Sequence, residues 1–180
     1  MKKALLVVDY TVDFVADDGR LTCGKPGQAI EDSICAITEQ FLQQQDFVVM
    51  PVDLHEEGDV LHPEHELFPP HNIRGTAGRE LYGKLKAVHE ANQEKIVWMD
   101  KTRYSAFAGT SLELLLRERK VEEIHIIGVC TDICVLHTAV DAYNKGFRIV
   151  IHKDAVASFD QAGHDWALRH FSNTLGAEVL

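Results

Sequence analysis

Positive charge is scarce in this chain. Against 28 Asp and Glu stand 18 Lys and Arg, a formal net charge of −10, and no block of basic residues offers a local exception. Such a balance favours solubility and repels a phosphate backbone, which speaks against a nucleic-acid partner. Cysteine is sparse too. Cys23, Cys35, Cys130 and Cys134 are too few for the disulfide framework of a small secreted scaffold. Long apolar runs are missing. Lys2 and Lys3 precede an apolar stretch as in a signal peptide, but Asp9 ends that stretch after five residues. A signal h-region needs roughly 7–15 such residues and a membrane span ~18. The expectation is a cytoplasmic protein with free thiols and no membrane partner.

What is present is ordinary globular material. In 180 residues, 46% are hydrophobic and 26% charged, enough to bury a core without disulfides or a structural metal. No repeat, low-complexity tract or linker interrupts residues 1–180, so one domain is expected. Leu5–Val8, Phe47–Val52, Ile96–Met99, Ile124–Val129 and Phe147–His152 are short apolar runs, the pattern of strands buried on both faces, with Ala177–Leu180 as a sixth. Between them, helical spacing appears over Gln28–Gln45, Glu80–Ala91, Ser111–Arg119 (capped by Thr110), Thr131–Asn144 (stopped at Gly146) and Gln161–Leu175. Pro63, Pro69 and Pro70 keep 54–79 a loop. Strand alternating with helix predicts an α/β, three-layer fold: an open, mostly parallel sheet of about six strands with helices on both faces, Rossmann-like.

In such folds, sites form beyond the carboxyl ends of the strands. Those ends carry Asp9, then Asp53 and His55, then Lys101, then Cys130 and Cys134. Together they offer a nucleophile, an acid/base, a cation and metal ligands along one edge. Cys134 falls where a strand hands over to a helix, in the first turn if Thr131 or Asp132 is the cap, and a helix N-terminus favours a thiolate. A free thiol with a pKa of about 8.5 is only ~3% ionised at pH 7. A drop of ~2 units, to which Lys101 would add, makes it mostly thiolate. The competing reading is a buried structural cysteine. The spacing of Cys130 and Cys134 is not Cys-x-x-Cys, which disfavours a thioredoxin-type dithiol, and Cys23 and Cys35 read as structural. Asp9, directly after a buried strand, must be paired or have a raised pKa, and either suits a proton carrier. Asp13 either orients its loop or is solvated. Asp53 and His55, two apart in extended chain, project to one side with Cα atoms about 6–7 Å apart, which suits two ligands of one ion. His62, Glu64, His65 and His71 all qualify as further ligands, and such a set suits Zn²⁺, Fe²⁺ or Mn²⁺. A solvated histidine-rich loop is the alternative, more so for His62 and His65 than for His55.

These residues stand in recognisable blocks: Val8-Asp9 with Asp13-Phe14, Asp53-x-His55, Phe68-Pro69-Pro70-His71-Asn72-Ile73-Arg74-Gly75-Thr76-Ala77-Gly78, Lys101-Thr102-Arg103-Tyr104-Ser105-Ala106-Phe107 and Gly128-Val129-Cys130-Thr131-Asp132-Ile133-Cys134-Val135. Along nearly its whole length the sequence resembles the nicotinamidases (pyrazinamidases) of the isochorismatase-like cysteine hydrolase superfamily. The resemblance implies a catalytic triad of Asp9, Lys101 and Cys134. It also implies one divalent ion, Zn before Fe or Mn, on Asp53, His55 and His71, with Glu64 as a further ligand where other members have water. It places an oxyanion hole at the backbone N–H groups of Cys130 and Cys134, after a cis peptide, although the family usually has alanine at the position of Cys130. Phe14, Phe68 and Tyr104 would line the pocket for an aromatic ring, and Thr11 stands where the wider superfamily has glutamine. The implied activity is metal-dependent deamidation of nicotinamide, or pyrazinamide, to the acid and ammonia through a cysteine thioester, in NAD salvage, by a homo-oligomer. Two rival readings are another amide or ureide hydrolase of the superfamily, whose branches generally lack the metal set, and a non-catalytic metal-binding or thiol redox protein. Isochorismatases proper lack a cysteine at the position of Cys134.

Overall fold

A computed structural model describes residues 1–180. Six parallel strands form one sheet: β1 (Lys2–Val8), β2 (Phe47–Asp53), β3 (Ile96–Lys101), β4 (Val121–Val129), β5 (Arg148–Ala157) and β6 (Glu178–Val179), in the spatial order β3-β2-β1-β4-β5-β6. The helices are α1 (Val12–Val15), α2 (Lys25–Ala29), α3 (Glu31–Gln43), α4 (Gly83–Glu90), α5 (Leu112–Glu118), α6 (Leu136–Asn144) and α7 (Gln161–Leu175). Side chains alternate across the sheet and so build two cores. Ala4, Leu6 and Val8 pack with Leu112, Leu116, Ala139 and Phe171 of α5–α7. Leu5 and Val7 pack on the other face with Phe14, Ile34, Phe41 and Leu85 of α1, α3 and α4. No helix is long and apolar enough to cross a membrane.

The expected α/β architecture is present, and the differences from the sequence reading are local. The helical pattern over 28–45 is two helices, α2 entered through Pro26 and α3, meeting at Ile30, whose φ and ψ are −91° and 0°. The one-turn α1 was not anticipated, because four residues show no periodicity. Strands β1 to β4 run longer than their apolar cores, with β3 extending to Lys101; β5 starts at Arg148 and runs on to Ala157, and β6 is only Glu178–Val179, shorter than the expected Ala177–Leu180. The cap of α5 is Ser111 rather than Thr110, although the Thr110 hydroxyl accepts from Leu112 N–H at 3.2 Å. The interior proline of β2, Pro51, lies past the end of the β1–β2 ladder at Leu6 and Val49, so β1 asks no amide hydrogen of it.

The chain builds β1, β2 and β3 outward, then returns to place β4 on the other side of β1. Such a reversal opens a crevice at the carboxyl ends. Two backbone features shape it. Asp9 leaves β1 with φ +53°, in the left-handed region that Asp tolerates better than most residues. Gly128 has φ +114° and pairs with Val8, and a Cβ there would collide with the Val8 carbonyl, so only glycine lets β1 and β4 approach where both chains turn into the crevice.

Candidate active site

Asp9, Lys101 and Cys134 meet at this crevice, with 0%, 1% and 5% of their surfaces exposed. Asp9 follows β1 and Lys101 ends β3, with β2 between the two strands. Cys134 comes from a π-helical turn over Thr131–Val135 that runs into α6. Asp9 Oδ1 accepts the backbone N–H of Asp53 at 2.7 Å. Lys101 Nζ stands 2.8 Å from Asp9 Oδ2, a buried ion pair. The same ammonium lies 3.5 Å from Cys134 Sγ and 3.5 Å from Asp53 Oδ1, and donates to the Arg103 carbonyl at 3.2 Å. One buried cation thus faces the thiol, Asp9 and the neighbouring acidic cluster. Burial alone would depress Lys101, but Asp53, Asp9 and Cys134 hold it well above the usual lysine range. Burial pushes Asp9 up, against the pull of Lys101.

The thiol departs from expectation. Burial pushes Cys134 well above an ordinary cysteine; Lys101 pulls the other way, but Asp9 and Asp53 add to the rise. Burial and these carboxylates outweigh the lowering expected from a helix terminus and Lys101. The cap of the turn is Cys130, not Thr131 or Asp132, and no side chain bonds the turn's first amides. Asp132 instead accepts from the Ser158 hydroxyl, and Thr131 bonds His164 Nδ1 on α7. The arrangement holds a protonated thiol beside a base.

The second group lies one strand over. Asp53, His55, Glu64 and His71 are all buried, and a ligand atom from each lies within 4.8 Å of every other. His55 Nε2 is 2.8 Å and His71 Nε2 3.3 Å from Asp53 Oδ2, and Glu64 Oε2 is 3.6 Å from His71 Nε2 and 4.0 Å from His55 Nε2. The loop 54–74 closes through the backbone. His55 N–H donates to the Asn72 carbonyl at 3.1 Å and Arg74 N–H to the His55 carbonyl at 2.9 Å, pairing His55 with Ile73. His71 Nδ1 donates to the Pro69 carbonyl at 2.8 Å, so Nε2 turns its lone pair inward. That Nε2 is buried without a hydrogen-bond partner. Two imidazoles and two carboxylates around an orphaned nitrogen fit a divalent cation. The electrostatics agree. Burial would raise Asp53, yet Lys101 and the neighbouring His55 and His71 imidazoles hold it well below the carboxylate range. Burial and the Asp53 charge push Glu64 up. Burial would lower His71, but Asp53, the Pro69 carbonyl and Glu64 push it up.

Of the loop candidates, His65 is exposed and outside the cluster. His62 is buried yet not in the donor set, so the solvated-loop reading fails for it. Asp13, left open between orienting and solvated, is buried; its Oδ2 accepts from Asn72 N–H at 2.7 Å and so anchors the residue after His71. Sequence reasoning missed Arg79, which donates to the Asp53 and Val52 carbonyls at 2.8 and 3.2 Å and clamps the strand end that carries the ligand. No motif marks it. Phe14 and Phe68 stand edge-on to His71 with ring centroids 5.2 and 6.3 Å away, and half-buried Tyr104 packs on His137 at 5.2 Å. A cavity of about 70 Å³ adjoins this group, lined by His55, Glu64, Phe68 and His71 among others. The far larger cleft of about 660 Å³, at the opposite end of the sheet around Lys2, Phe47 and Arg119, holds none of this chemistry. The peptide between Val129 and Cys130 is cis. Cys130 and Cys23 lie in the core beneath, as free thiols with sulfurs 3.4 Å apart.

An open parallel sheet that gathers aspartate, lysine and cysteine at its switch point defines the isochorismatase-like hydrolase class. Residues 3–180 match the isochorismatase domain family, and the chain belongs to it. It is 63% identical over 181 residues to the Bacillus subtilis isochorismatase family protein PncA, with 99% of each chain covered. The crystal structure of nicotinamidase/pyrazinamidase PncA from Bacillus subtilis superposes with a TM-score of 0.98 at 60% identity, again over 99% of each chain. The pyrazinamidase of Pyrococcus horikoshii in complex with zinc superposes with a TM-score of 0.87 at 28% identity, over 100% of this chain and 99% of that one.

Proposed function

We propose that this protein hydrolyses nicotinamide to nicotinate and ammonia through Cys134. The observation that carries the reading is the position of Lys101 Nζ, within 3.5 Å of Asp9, Asp53 and Cys134 together. It makes one site of a nucleophile, a base and a four-donor cluster, and the likeness to the Bacillus subtilis nicotinamidase supports the substrate.

Asp9, whose Oδ2 is paired with the Lys101 ammonium at 2.8 Å, takes the Cys134 proton as the sulfur forms a bond to the carboxamide carbon. A high thiol pKa suits this order, because the proton leaves only as the attack proceeds and the raised pKa of Asp9 lets it be held. Lys101 stabilises the negative charge shared among Asp9 and sulfur. The backbone N–H groups of Cys130 and Cys134 form the oxyanion hole for the tetrahedral intermediate. The carbon–nitrogen bond then breaks, with Asp9 returning its proton to the departing ammonia and leaving a thioester. A water deprotonated by Asp9 adds to the thioester carbon, expels the Cys134 sulfur, which recovers the proton, and releases the acid. Phe14, Phe68 and Tyr104 bind the ring. Asp53, His55, Glu64 and His71 would hold a divalent ion, Zn²⁺ suiting two nitrogens and two oxygens. Bound there, it supplies a Lewis-acidic anchor for a ring nitrogen.

The test is ammonia release from nicotinamide by purified protein, before and after chelation, with metal analysis and the Cys134→Ala variant. Turnover should fall on chelation, return with added Zn²⁺ and vanish in the variant. Full activity in Cys134→Ala overturns the mechanism, and no turnover in folded, metal-loaded protein overturns the substrate.

A further inference from the structure

The donor cluster raises a question of construction. Glu64 lies in a loop that Pro63, Pro69 and Pro70 keep irregular, with no strand or long helix to aim it, yet its carboxylate is buried against His55 and His71. His62 is the residue in a position to hold it. Its ring is 8% exposed and uses both nitrogens: Nε2 bonds the Thr102 carbonyl at 2.8 Å, and Nδ1 accepts the backbone N–H of Glu64 at 3.2 Å. A carbonyl can only accept and a backbone N–H can only donate, so the partners dictate the neutral Nε2–H tautomer. Neither nitrogen is left for an ion. The ring also lies on His55, with centroids 4.2 Å apart. His62 thus ties the loop to the residue after Lys101 on one side and fixes the backbone of Glu64 on the other. Local turns, from His65 N–H to the His62 carbonyl and from Phe68 N–H to the Glu64 carbonyl, both at 3.0 Å, complete the bracket.

We propose that His62 is a positioning residue that presents Glu64 as the fourth donor of the metal centre. The inference rests on the metal reading given under the proposed function and deepens it, because it says why a carboxylate on an irregular loop acts as a fixed ligand. Partners of this kind around a metal typically contribute 10–100-fold to its affinity.

Two substitutions divide the two bonds. An asparagine amide reaches the place of Nδ1 and keeps an acceptor for Glu64 N–H, whereas a glutamine amide reaches the place of Nε2 and keeps a donor to Thr102. The measurement is Zn²⁺ affinity, by competition with a chromophoric chelator, for the wild type, His62→Asn and His62→Gln, together with the melting temperature of each metal-free protein. The wild type and His62→Asn should bind within about threefold of one another. His62→Gln should bind at least about tenfold more weakly, with metal-free melting temperatures of the variants alike. Equal affinity in all three proteins overturns the proposal, as does equal weakening in both variants or weakening that tracks the metal-free melting temperature. A wild-type protein that binds no Zn²⁺ overturns the metal reading itself, a result distinguishable from any of these.

Discussion

Lys101→Met keeps the length and apolar stem of a fully buried side chain and removes its charge. In the folded protein Nζ lies 2.8 Å from Asp9 and 3.5 Å from Asp53. At an effective dielectric of about 20, these contacts are worth about 6 and about 5 kcal/mol before desolvation. Most of that is cancelled by the cost of burying the charges, and taking one partner from a buried ion pair costs about 3–5 kcal/mol net. For a chain of this size that is a fall in Tm of roughly 6–20 °C at neutral pH. The pH dependence provides the sharper check. Without the ammonium, the buried carboxylates acquire folded-state pKa values above their unfolded ones, so their penalty is full at neutral pH and fades as pH falls through those values. In the wild type Asp53 is held well below its ordinary range, so its contribution persists at mild acidity and is lost only as pH falls further. The gap between variant and wild type should therefore be wide at pH 7.5 and narrower at pH 5, in calorimetric melts of chelator-treated protein. A gap under 2 °C at both pH values, or one of equal size at both, refutes this account of what Lys101 balances.

Two further outcomes follow from other groups. Because Cys134 is pushed well above an ordinary thiol, its alkylation by iodoacetamide in the chelated protein, followed residue by residue by mass spectrometry, should be slower than that of free cysteine at pH 7.5 and should climb with pH; a fast rate that stays flat down to pH 6 contradicts the protonated resting state. On the far side of β4, burial and the neighbouring His125, whose Nδ1 lies 2.9 Å away, lower His152 to about 4. A depressed histidine contributes stability that is full above its unfolded pKa of ~6.5 and is lost as pH falls towards the folded value. His152 is half-buried, so after solvent screening its share is about 1–2 kcal/mol, and His152→Asn should flatten the stability profile between pH 6.5 and 4 in urea titrations. An unchanged profile removes His152 from that account.

The pattern of short, wholly apolar runs announced a two-sided parallel sheet, because a strand covered on both faces needs no polar alternation. Helix ends were less legible. The break at Ile30 occurs inside an unbroken apolar spacing, and α1 is a single turn held by tertiary contacts: Val12 N–H donates to the Glu80 carbonyl at 2.9 Å, across 68 residues of chain. Within the site, Asp53 and His55 were readable as a pair because extended chain repeats every two residues. The loop that follows offered His62, Glu64, His65 and His71 with no local rule to choose among them.

The amino-acid order by itself determined the fold class, the strand ends at which chemistry collects, and the residue types available there. Local periodicity and turn chemistry act over a few residues and are written directly in the chain. Which of those residues face one another, and with what protonation, was decided only by the tertiary structure. The Thr102 carbonyl takes up one nitrogen of His62 and the Glu64 amide the other, while His71 turns its free nitrogen to Asp53. Burial, with Asp9 and Asp53 adding to it, reverses the thiol shift that a helix terminus and a lysine would give Cys134. Electrostatic energy depends on distances between groups far apart in sequence and on the water excluded around them, and neither exists until the chain has closed.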